Sequence, residues 1–343
     1  MSPADLPREP SATPEPVGRV EPVGPSAGPG VGPSAGPSLD PAWLRDLVAR
    51  ALDEDLGAAP GRDLTSEATV PADVVGDAHV VARAAGVVAG MPAVVEVLAQ
   101  VTRRLGLPPV AVEHRVADGA RVDAGTVLAV VRGPVRALLV GERTLLNLLS
   151  HASGVATHTR RWADALAGTG ARVLDTRKTT PGLRALDKYA VRCGGGTNKR
   201  MGLYDVAMVK DNHVLAAGGV AEAIGAVRAA FPTAPVQVEA DTLEQAMAAL
   251  DAGARFLLLD NMAPDVLREV VAAVRAREPV TGRVELEATG GLTLDGAAAV
   301  AATGVDYLSV GALTHSSPIL DVALDLVGDG GRDVHDVAPG VPH

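Results

Sequence analysis

The sequence contains few aromatic residues and a single cysteine. Aromatic residues make up 2% of its 343 residues, although 47% of the chain is hydrophobic. The core must therefore be built from Val, Leu, Ala and Ile, which suits buried strands covered by helices better than an aromatic binding surface. Because Cys193 has no second cysteine to pair with, no internal disulfide can form, and a reducing, cytoplasmic compartment is expected.

Long apolar runs and a positive net charge are also missing. No run approaches the length of a membrane span, so no membrane association is expected. The formal net charge of −10 argues against general nucleic-acid binding, while a local basic pocket for a small anion stays open. Residues 1–38 are rich in Pro, Gly, Ser and Ala and lack the apolar core of a signal peptide. We expect them to form a disordered tail without a catalytic role.

Two domains follow the tail. Asp40-Pro41 is typical of a helix start, and short Val-rich runs over 76–135 indicate strands with a helix near 92–104. Residues 136–150 return to helical spacing. The segment 39–152 is thus expected to be an N-terminal α/β domain of the α+β, sandwich-like kind. The segment 153–316 is expected to be the catalytic domain, and the C-terminal segment 317–343 could pack back on the N-terminal domain.

The catalytic domain alternates strand-like and helical patterns. Apolar strand-like runs occur at 172–175, 206–210, 236–240, 255–260, 284–288 and 306–311. Repeated β-α units with short loops imply a parallel sheet with right-handed crossovers. So many units in a short segment favour a compact β/α barrel, and a doubly wound sheet is the alternative.

Polar residues end each of these runs. A polar residue at one strand end is weak evidence, but in a barrel all the carboxyl ends meet at one mouth. The set divides chemically into cations (Arg177, Lys178, Arg200 and Lys210) and anions (Glu239 and Asp260). This division fits a site that holds a polyanion and stabilises a developing positive charge or a metal ion.

The stretch 175–200, DTRKTTPGLRALDKYAVRCGGGTNKR, is unusually basic. It carries seven Lys or Arg and two Asp, a local charge of +5. Its three glycines would let the chain return Arg200 to the mouth from which Arg177 departs, giving two ends of one anion-binding loop. Because Arg184, Lys188 and Arg192 recur at every fourth residue, they should share one helical face. We interpret this face as a solvated stripe, with an electrostatic funnel as the alternative.

Several long motifs resemble the quinolinate phosphoribosyltransferase family. They are DLTS (63–66), GERTLLNLLSHASGVAT (141–157), DTRKTTPGLRALDKYAVRCGGGTNKRMGLYDVAMVKDNH (175–213), VEADT (238–242), LLLDNM (257–262), EATGGLT (287–293) and SVGALTHS (309–316). The resemblance implies transfer of phosphoribose from phosphoribosyl pyrophosphate to quinolinate with decarboxylation, using Mg²⁺. It further implies a C-terminal incomplete β/α, TIM-like barrel, and dimers or dimer-based hexamers whose sites borrow residues from the neighbouring chain.

The resemblance also assigns roles to residues. Arg177 and Arg200 would grip the quinolinate carboxylates, with Arg143 supplied by the partner chain. Lys178 would lie between the two substrates as a catalytic residue, together with the carboxylates Glu239 and Asp260 near the ribose and, indirectly, the metal ion. The remaining substrate-binding positions would be Thr176, Lys199, Lys210, Thr289, Gly290, Gly291, Gly311 and His315.

Two positions depart from the family pattern. Lys199 stands where the family usually has His, which puts in doubt any proton-donor role at this position but leaves carboxylate binding intact. Thr289 replaces a frequent Ser and keeps the hydroxyl. The chemistry needs no covalent nucleophile, so Cys193 is expected to be a free cysteine without a catalytic role.

Two other functions are open. A nicotinate-type phosphoribosyltransferase would transfer phosphoribose without decarboxylation. A carrier protein is suggested by VADGARVDAGTVLAVV (116–131), which resembles lipoyl and biotinyl domains, but residues 111–140 contain no lysine for attachment. The histidines 79, 114, 151, 158 and 213 show no metal-ligand spacing and are interpreted as structural or surface residues. A lone Arg in a Leu-rich helix, such as Arg143, is usually solvated when no motif supports it.

Overall fold

The computed structural model describes residues 37–328, so most of the expected disordered tail lies outside the described residues. The first part of the described chain contains α1 (Pro41–Leu56), α2 (Leu64–Thr69), β1 (Val75–Ala82), β2 (Gly86–Val87), α3 (Met91–Leu105), β3 (Ala111–His114), β4 (Arg121–Val122), β5 (Val127–Pro134) and α4 (Val135–Ala165).

The second part alternates strands and helices, as predicted. It contains β6 (Arg172–Leu174), α5 (Arg184–Cys193), β7 (Ala207–Val209), α6 (Asp211–Ala217), α7 (Val220–Ala230), β8 (Val236–Ala240), α8 (Leu243–Asp251), β9 (Phe256–Asp260), α9 (Pro264–Thr281), β10 (Glu285–Thr289), α10 (Ala297–Ala301), β11 (Tyr307–Ser309), α11 (Ala312–His315) and β12 (Val322–Leu326). No helix within residues 37–328 is long and apolar enough to cross a bilayer.

The N-terminal part is an antiparallel sheet with helices. Its helix α1 begins where the sequence predicted, because the Asp40 carboxylate accepts a hydrogen bond from the Ala42 N–H at 2.8 Å. The sheet has the strand order β12-β1-β5-β3. Strand β12 comes from the far end of the chain and pairs antiparallel with β1, placing Leu324 opposite Val80. The described portion of the C-terminal segment thereby completes the N-terminal sheet.

Helix α4 is continuous across the expected domain boundary at 152–153. The leucine pattern that predicted a helix over 136–150 gives way to small buried residues, Ala152, Ser153 and Gly154, while the helix continues to Ala165. A Cβ on Gly154 would lie 2.1 Å from the Pro318 carbonyl oxygen, so the small residues let the segment before β12 pack against the helix.

The second sheet is an open barrel. Its strands run parallel in the order β6-β11-β10-β9-β8-β7, which is the cyclic order of a β/α barrel rather than that of a doubly wound sheet. Among the described strands, the edges β6 and β7 do not pair with each other, so the barrel is incomplete on that side. Residues after α5 partly cover this side, where Thr197 forms an isolated bridge with Leu174 of β6.

Alternate residues of each barrel strand face opposite sides. In β9, Leu257 and Leu259 belong to the main core under the helices, whereas Phe256 and Leu258 join a small separate cluster with Tyr307 inside the barrel. The Phe256 and Tyr307 rings stack with centroids 5.9 Å apart. The next inward-facing residue of β9 is Asp260, so the alternation carries polar side chains to the barrel mouth.

A glycine substitution in α4, compared with a control substitution in α7, tests how closely the segment before β12 packs against α4. Gly154→Ala should destabilise the fold by about 1–3 kcal/mol, because the new Cβ overlaps the backbone of Pro318. The matched control is Gly225→Ala in α7, where a Cβ meets nothing within 4 Å, and a gain of about 0.5–1 kcal/mol is expected. Urea unfolding measures both; equal stability of the two variants would contradict the close approach at Gly154.

Candidate active site

A cavity of about 650 Å³ lies at the carboxyl ends of the barrel strands. Every predicted site residue except Arg143 lines this cavity: Thr176, Arg177, Lys178, Lys199, Arg200, Lys210, Glu239, Asp260, Thr289, Gly290, Gly291, Gly311 and His315. The ends of the predicted strands therefore do meet at one cavity. This cavity contains both the predicted cations and the predicted carboxylates.

Seven further residues line the cavity that the sequence did not single out as binding residues: Met208, Leu258, Asn261, Leu292, Ser309, Val310 and Ala312. Three of them could have been predicted from their spacing in the sequence. Met208, Leu258 and Ser309 each lie two residues before a predicted site residue, and period-two alternation puts such pairs on the same face of a strand. The apolar floor of the site could have been predicted in this way.

The Asp175 carboxylate fixes the loop that follows β6. It is fully buried and accepts hydrogen bonds from the Lys188 ammonium, from Asn198 Nδ2 at 2.6 Å and from the Lys199 N–H at 2.8 Å. Burial raises the pKa of Asp175, and the Lys188 charge and these hydrogen bonds oppose that shift. One carboxylate thus joins the start of the basic stretch to its end.

The interpretation of Arg184 and Lys188 as a solvated stripe is wrong. Lys188 is 4% exposed, and its ammonium also donates to the Lys199 carbonyl at 3.1 Å. Arg184 donates to the Arg177 carbonyl at 3.3 Å and to the Met201 carbonyl at 3.0 Å. The spacing correctly placed these residues on one face, but that face packs under the basic loop instead of facing water.

Two guanidinium groups, those of Arg177 and Arg200, line the same cavity. Burial, followed by the charge of Arg177, lowers the pKa of Arg200, whose Nη1 donates to the Val206 carbonyl at 2.9 Å. The Arg177 Nε is buried and has no hydrogen-bond partner among the described groups. Two cations in one cavity, one of them with a buried donor that no described group uses, are suited to an anion with two carboxylates.

The ends of β8 and β9 supply the carboxylates of the cavity, Glu239 and Asp260. The Lys210 ammonium donates to Glu239, and Asn261 Nδ2 donates to the Asp260 carboxylate at 2.7 Å. Asn261 adopts a left-handed conformation with φ of 53°, which is uncommon for a residue other than Gly. Gly290 makes room for it, since a Cβ there would lie 2.2 Å from Asn261 Oδ1.

The last barrel strand places Lys178 close to His315. A Cβ on Gly311 would lie 3.0 Å from the Lys178 side chain and 3.3 Å from His315 Nε2. The other imidazole nitrogen of His315 is within 2.6 Å of the Ser316 hydroxyl, which leaves Nε2 facing the cavity region. Thr314 donates to the Lys178 carbonyl at 2.8 Å and holds this arrangement in place.

Several other polar residues lie outside the cavity. Arg143 is exposed on α4 and does not line it. Burial and the charge of Asp118 raise the pKa of Cys193 to about 12, which makes this thiol a poor nucleophile at neutral pH. His151 pairs with the buried Asp187 at 2.6 Å. Within the described part of the chain, no group of three His, Cys, Asp or Glu is arranged to bind a metal ion.

Comparison with known families identifies the chain. Residues 63–153 match the quinolinate phosphoribosyl transferase N-terminal domain, and residues 155–325 match the C-terminal domain of the same family. The chain belongs to the quinolinate phosphoribosyl transferase family.

Relatives of the family align with most of this chain. It is 51% identical to a nicotinate-nucleotide pyrophosphorylase [carboxylating] of Mycobacterium leprae over 82% of this chain and 96% of the relative. It is 38% identical to a quinolinate phosphoribosyltransferase [decarboxylating] of Nicotiana tabacum over 82% of each. The solved nicotinate-nucleotide pyrophosphorylase of Francisella tularensis superposes with a TM-score of 0.78 at 31% identity, covering 85% of this chain and 99% of that one.

Neutralising Asp175 tests its role in holding the loop of this family member. Asp175→Asn leaves the buried Lys188 ammonium without a counter-ion, so a loss of about 3–5 kcal/mol in unfolding free energy is expected. The matched control is Asp251→Asn, which breaks an exposed ion pair with Arg277 and should change stability by less than about 1 kcal/mol. Denaturant unfolding compares the two; similar small losses would show that the Asp175 pair does not hold the loop.

Proposed function

We propose that this chain transfers phosphoribose from phosphoribosyl pyrophosphate to quinolinate and decarboxylates the product. The products would be nicotinate mononucleotide, pyrophosphate and carbon dioxide, as expected for an enzyme of de novo NAD biosynthesis. The observation that carries the proposal is one cavity lined by Arg177, whose buried Nε has no partner among the described groups, together with Arg200, Glu239 and Asp260. The names of the family and of its relatives support the same reaction.

The paired guanidinium groups suit quinolinate, which has two neighbouring carboxylates. A dianion between them would offset their mutual repulsion, which a monocarboxylate does only in part. This difference favours quinolinate over nicotinate, the substrate of the alternative, non-decarboxylating reaction. Met208 of β7 and Leu258 of β9 also line the cavity, and they offer the apolar surface that a pyridine ring needs.

Phosphoribosyl pyrophosphate would occupy the other side of the cavity. Gly290 and Gly291 have positive φ values of 87° and 58°, so the backbone can approach phosphate oxygens without an intervening Cβ. Thr289 precedes this turn, and Lys210 and His315 line the same cavity, so the cavity also offers a cation and hydrogen-bond donors to the phosphates. The Glu239 and Asp260 carboxylates would then face the ribose.

The donor set also fits Mg²⁺. This ion is usually bound by one or two carboxylates together with substrate phosphates, and Glu239 and Asp260 are the carboxylates that line the cavity. Glu239 is already bonded to Lys210, so the ion would be held largely by pyrophosphate oxygens. Bound there, Mg²⁺ would neutralise charge on the departing pyrophosphate.

The reaction requires different residues to bind the two substrates and to stabilise the charge that develops between them. The quinolinate ring nitrogen forms a bond to the anomeric carbon while the bond from that carbon to pyrophosphate breaks. Glu239 and Asp260 would stabilise the positive charge that develops on the ribose, and Lys178 would orient both substrates between the walls. The cationic ring then takes the electron pair left by carbon dioxide, and a proton replaces the lost carboxylate.

A second copy of the chain would complete the site. Arg143 is exposed and outside its own cavity, so we propose a homodimer, or a hexamer built from such dimers, in which Arg143 enters the cavity of the neighbouring subunit. A third cation would add to the binding of the dicarboxylate. We further propose that the enzyme is cytoplasmic, which suits its single buried thiol.

Substrate preference tests the proposed reaction. The purified protein with Mg²⁺ and phosphoribosyl pyrophosphate should release carbon dioxide from carboxyl-labelled quinolinate and form nicotinate mononucleotide, with little turnover of nicotinate. Trapping of labelled carbon dioxide and chromatography of the nucleotide measure this preference. Faster turnover of nicotinate would instead establish the alternative, and turnover of neither substrate would refute both.

Subunit mixing tests the shared site. Lys178→Ala and Arg143→Ala should each abolish most turnover while leaving the fold intact. Mixed dimers should regain activity, because one of their two sites would combine intact Lys178 with intact Arg143. The expected recovery is about a quarter of the wild-type rate, since random exchange makes half of the dimers mixed. No recovery despite subunit exchange, proven by differently tagged chains, would place Arg143 outside the site.

A further inference from the structure

A fully buried glutamate lies next to the cavity and is absent from its lining. Glu287 belongs to β10 and is 0% exposed. Its Oε1 accepts a hydrogen bond from the Lys199 ammonium at 2.5 Å, and its Oε2 is buried without a partner in the described part of the chain. A buried carboxylate with one counter-ion and one empty acceptor is costly, because desolvation opposes the ion pair.

Every polar group of Lys199 is held by a buried charged residue. Its N–H donates to Asp175 at 2.8 Å, its carbonyl accepts from Lys188 at 3.1 Å, and its ammonium donates to Glu287. The Lys199 side chain is only 8% exposed, yet the residue lines the cavity. An ammonium group has three hydrogens, and one is used by the described groups, so donors remain for a bound molecule.

A fixed ammonium is a better ligand than a flexible one. Ordering a free lysine side chain costs conformational entropy, which substrate binding would otherwise have to offset. The bond to Glu287 orders the side chain before the substrate arrives. A pair of apolar residues would fill this space at less cost, so stability alone does not account for two charges here.

We propose that Glu287 is a positioning residue that holds the Lys199 ammonium ready to bind a carboxylate of quinolinate. The inference rests on the proposed function and adds to it a residue that does not touch the substrate. Glu287 acts through Lys199, so its removal should weaken the binding of the dicarboxylate and spare the binding of phosphoribosyl pyrophosphate.

The first test compares two glutamates of the same strand. Glu287→Gln keeps the shape but removes the charge, and should raise the Kd and the KM for quinolinate about tenfold, equivalent to about 1.4 kcal/mol. The KM for phosphoribosyl pyrophosphate should change less than about twofold. The matched control is Glu285→Gln, on the same face two residues earlier, bonded to Tyr307 at 3.1 Å and outside the cavity lining. It should leave both constants unchanged.

The second test is a double-mutant cycle with Lys199→Met. This change alone should weaken quinolinate binding and also lower the melting temperature, because Glu287 is left buried without its counter-ion. Adding Glu287→Gln should restore the melting temperature but not the affinity, and the two losses of affinity should not add. A purely structural pair would instead recover both properties in the double variant.

The outcomes separate this inference from the proposed function. If the wild-type chain neither binds nor converts quinolinate, the proposed function fails first. If the wild-type chain is active but Glu287→Gln keeps its affinity, or loses affinity for both substrates equally, the positioning role is refuted. The same conclusion follows if the losses from Lys199→Met and Glu287→Gln add fully.

Discussion

The Asp175 carboxylate is the interaction on which the site depends. It lies at the end of β6 with no access to solvent, and it binds the Lys188 ammonium, the Asn198 amide and the Lys199 N–H. Together with the Thr197–Leu174 bridge and the two bonds from Arg184, it joins the chain after α5 to the chain after β6. These links hold Arg177 and Arg200, which the two segments carry, against their mutual repulsion.

The open side of the barrel explains how the charges are arranged. A closed barrel would pair β6 with β7, but here the chain after α5 crosses this side, linked to β6 through Thr197 and to the residue before β7 through Arg200. This segment therefore brings Lys199 and Arg200 into the cavity that the carboxylates at the ends of β8 and β9 also line. Quinolinate and phosphoribosyl pyrophosphate could bind on separate walls and meet between them.

Local patterns in the sequence predicted the helix start at Asp40, the barrel strands and the set of residues at the mouth. These features depend on side-chain alternation and on strand ends, which neighbouring residues determine. The burial of Lys188 and its bond to Asp175 could not be predicted, because charged residues at helical spacing look alike whether they face water or a buried carboxylate. The pairing of Lys199 with Glu287 joins residues far apart in the chain, and no local pattern reports it.

Strand β12 has a consequence for how the chain is made. The N-terminal sheet needs this strand from the end of the described chain to cover the edge of β1. During synthesis the whole barrel leaves the ribosome before that strand does, so β1 presents an unpaired edge throughout this time. The N-terminal sheet is thus the first part to be synthesised and the last to be completed, and a ribosome that stalls within the barrel releases a chain prone to association with others.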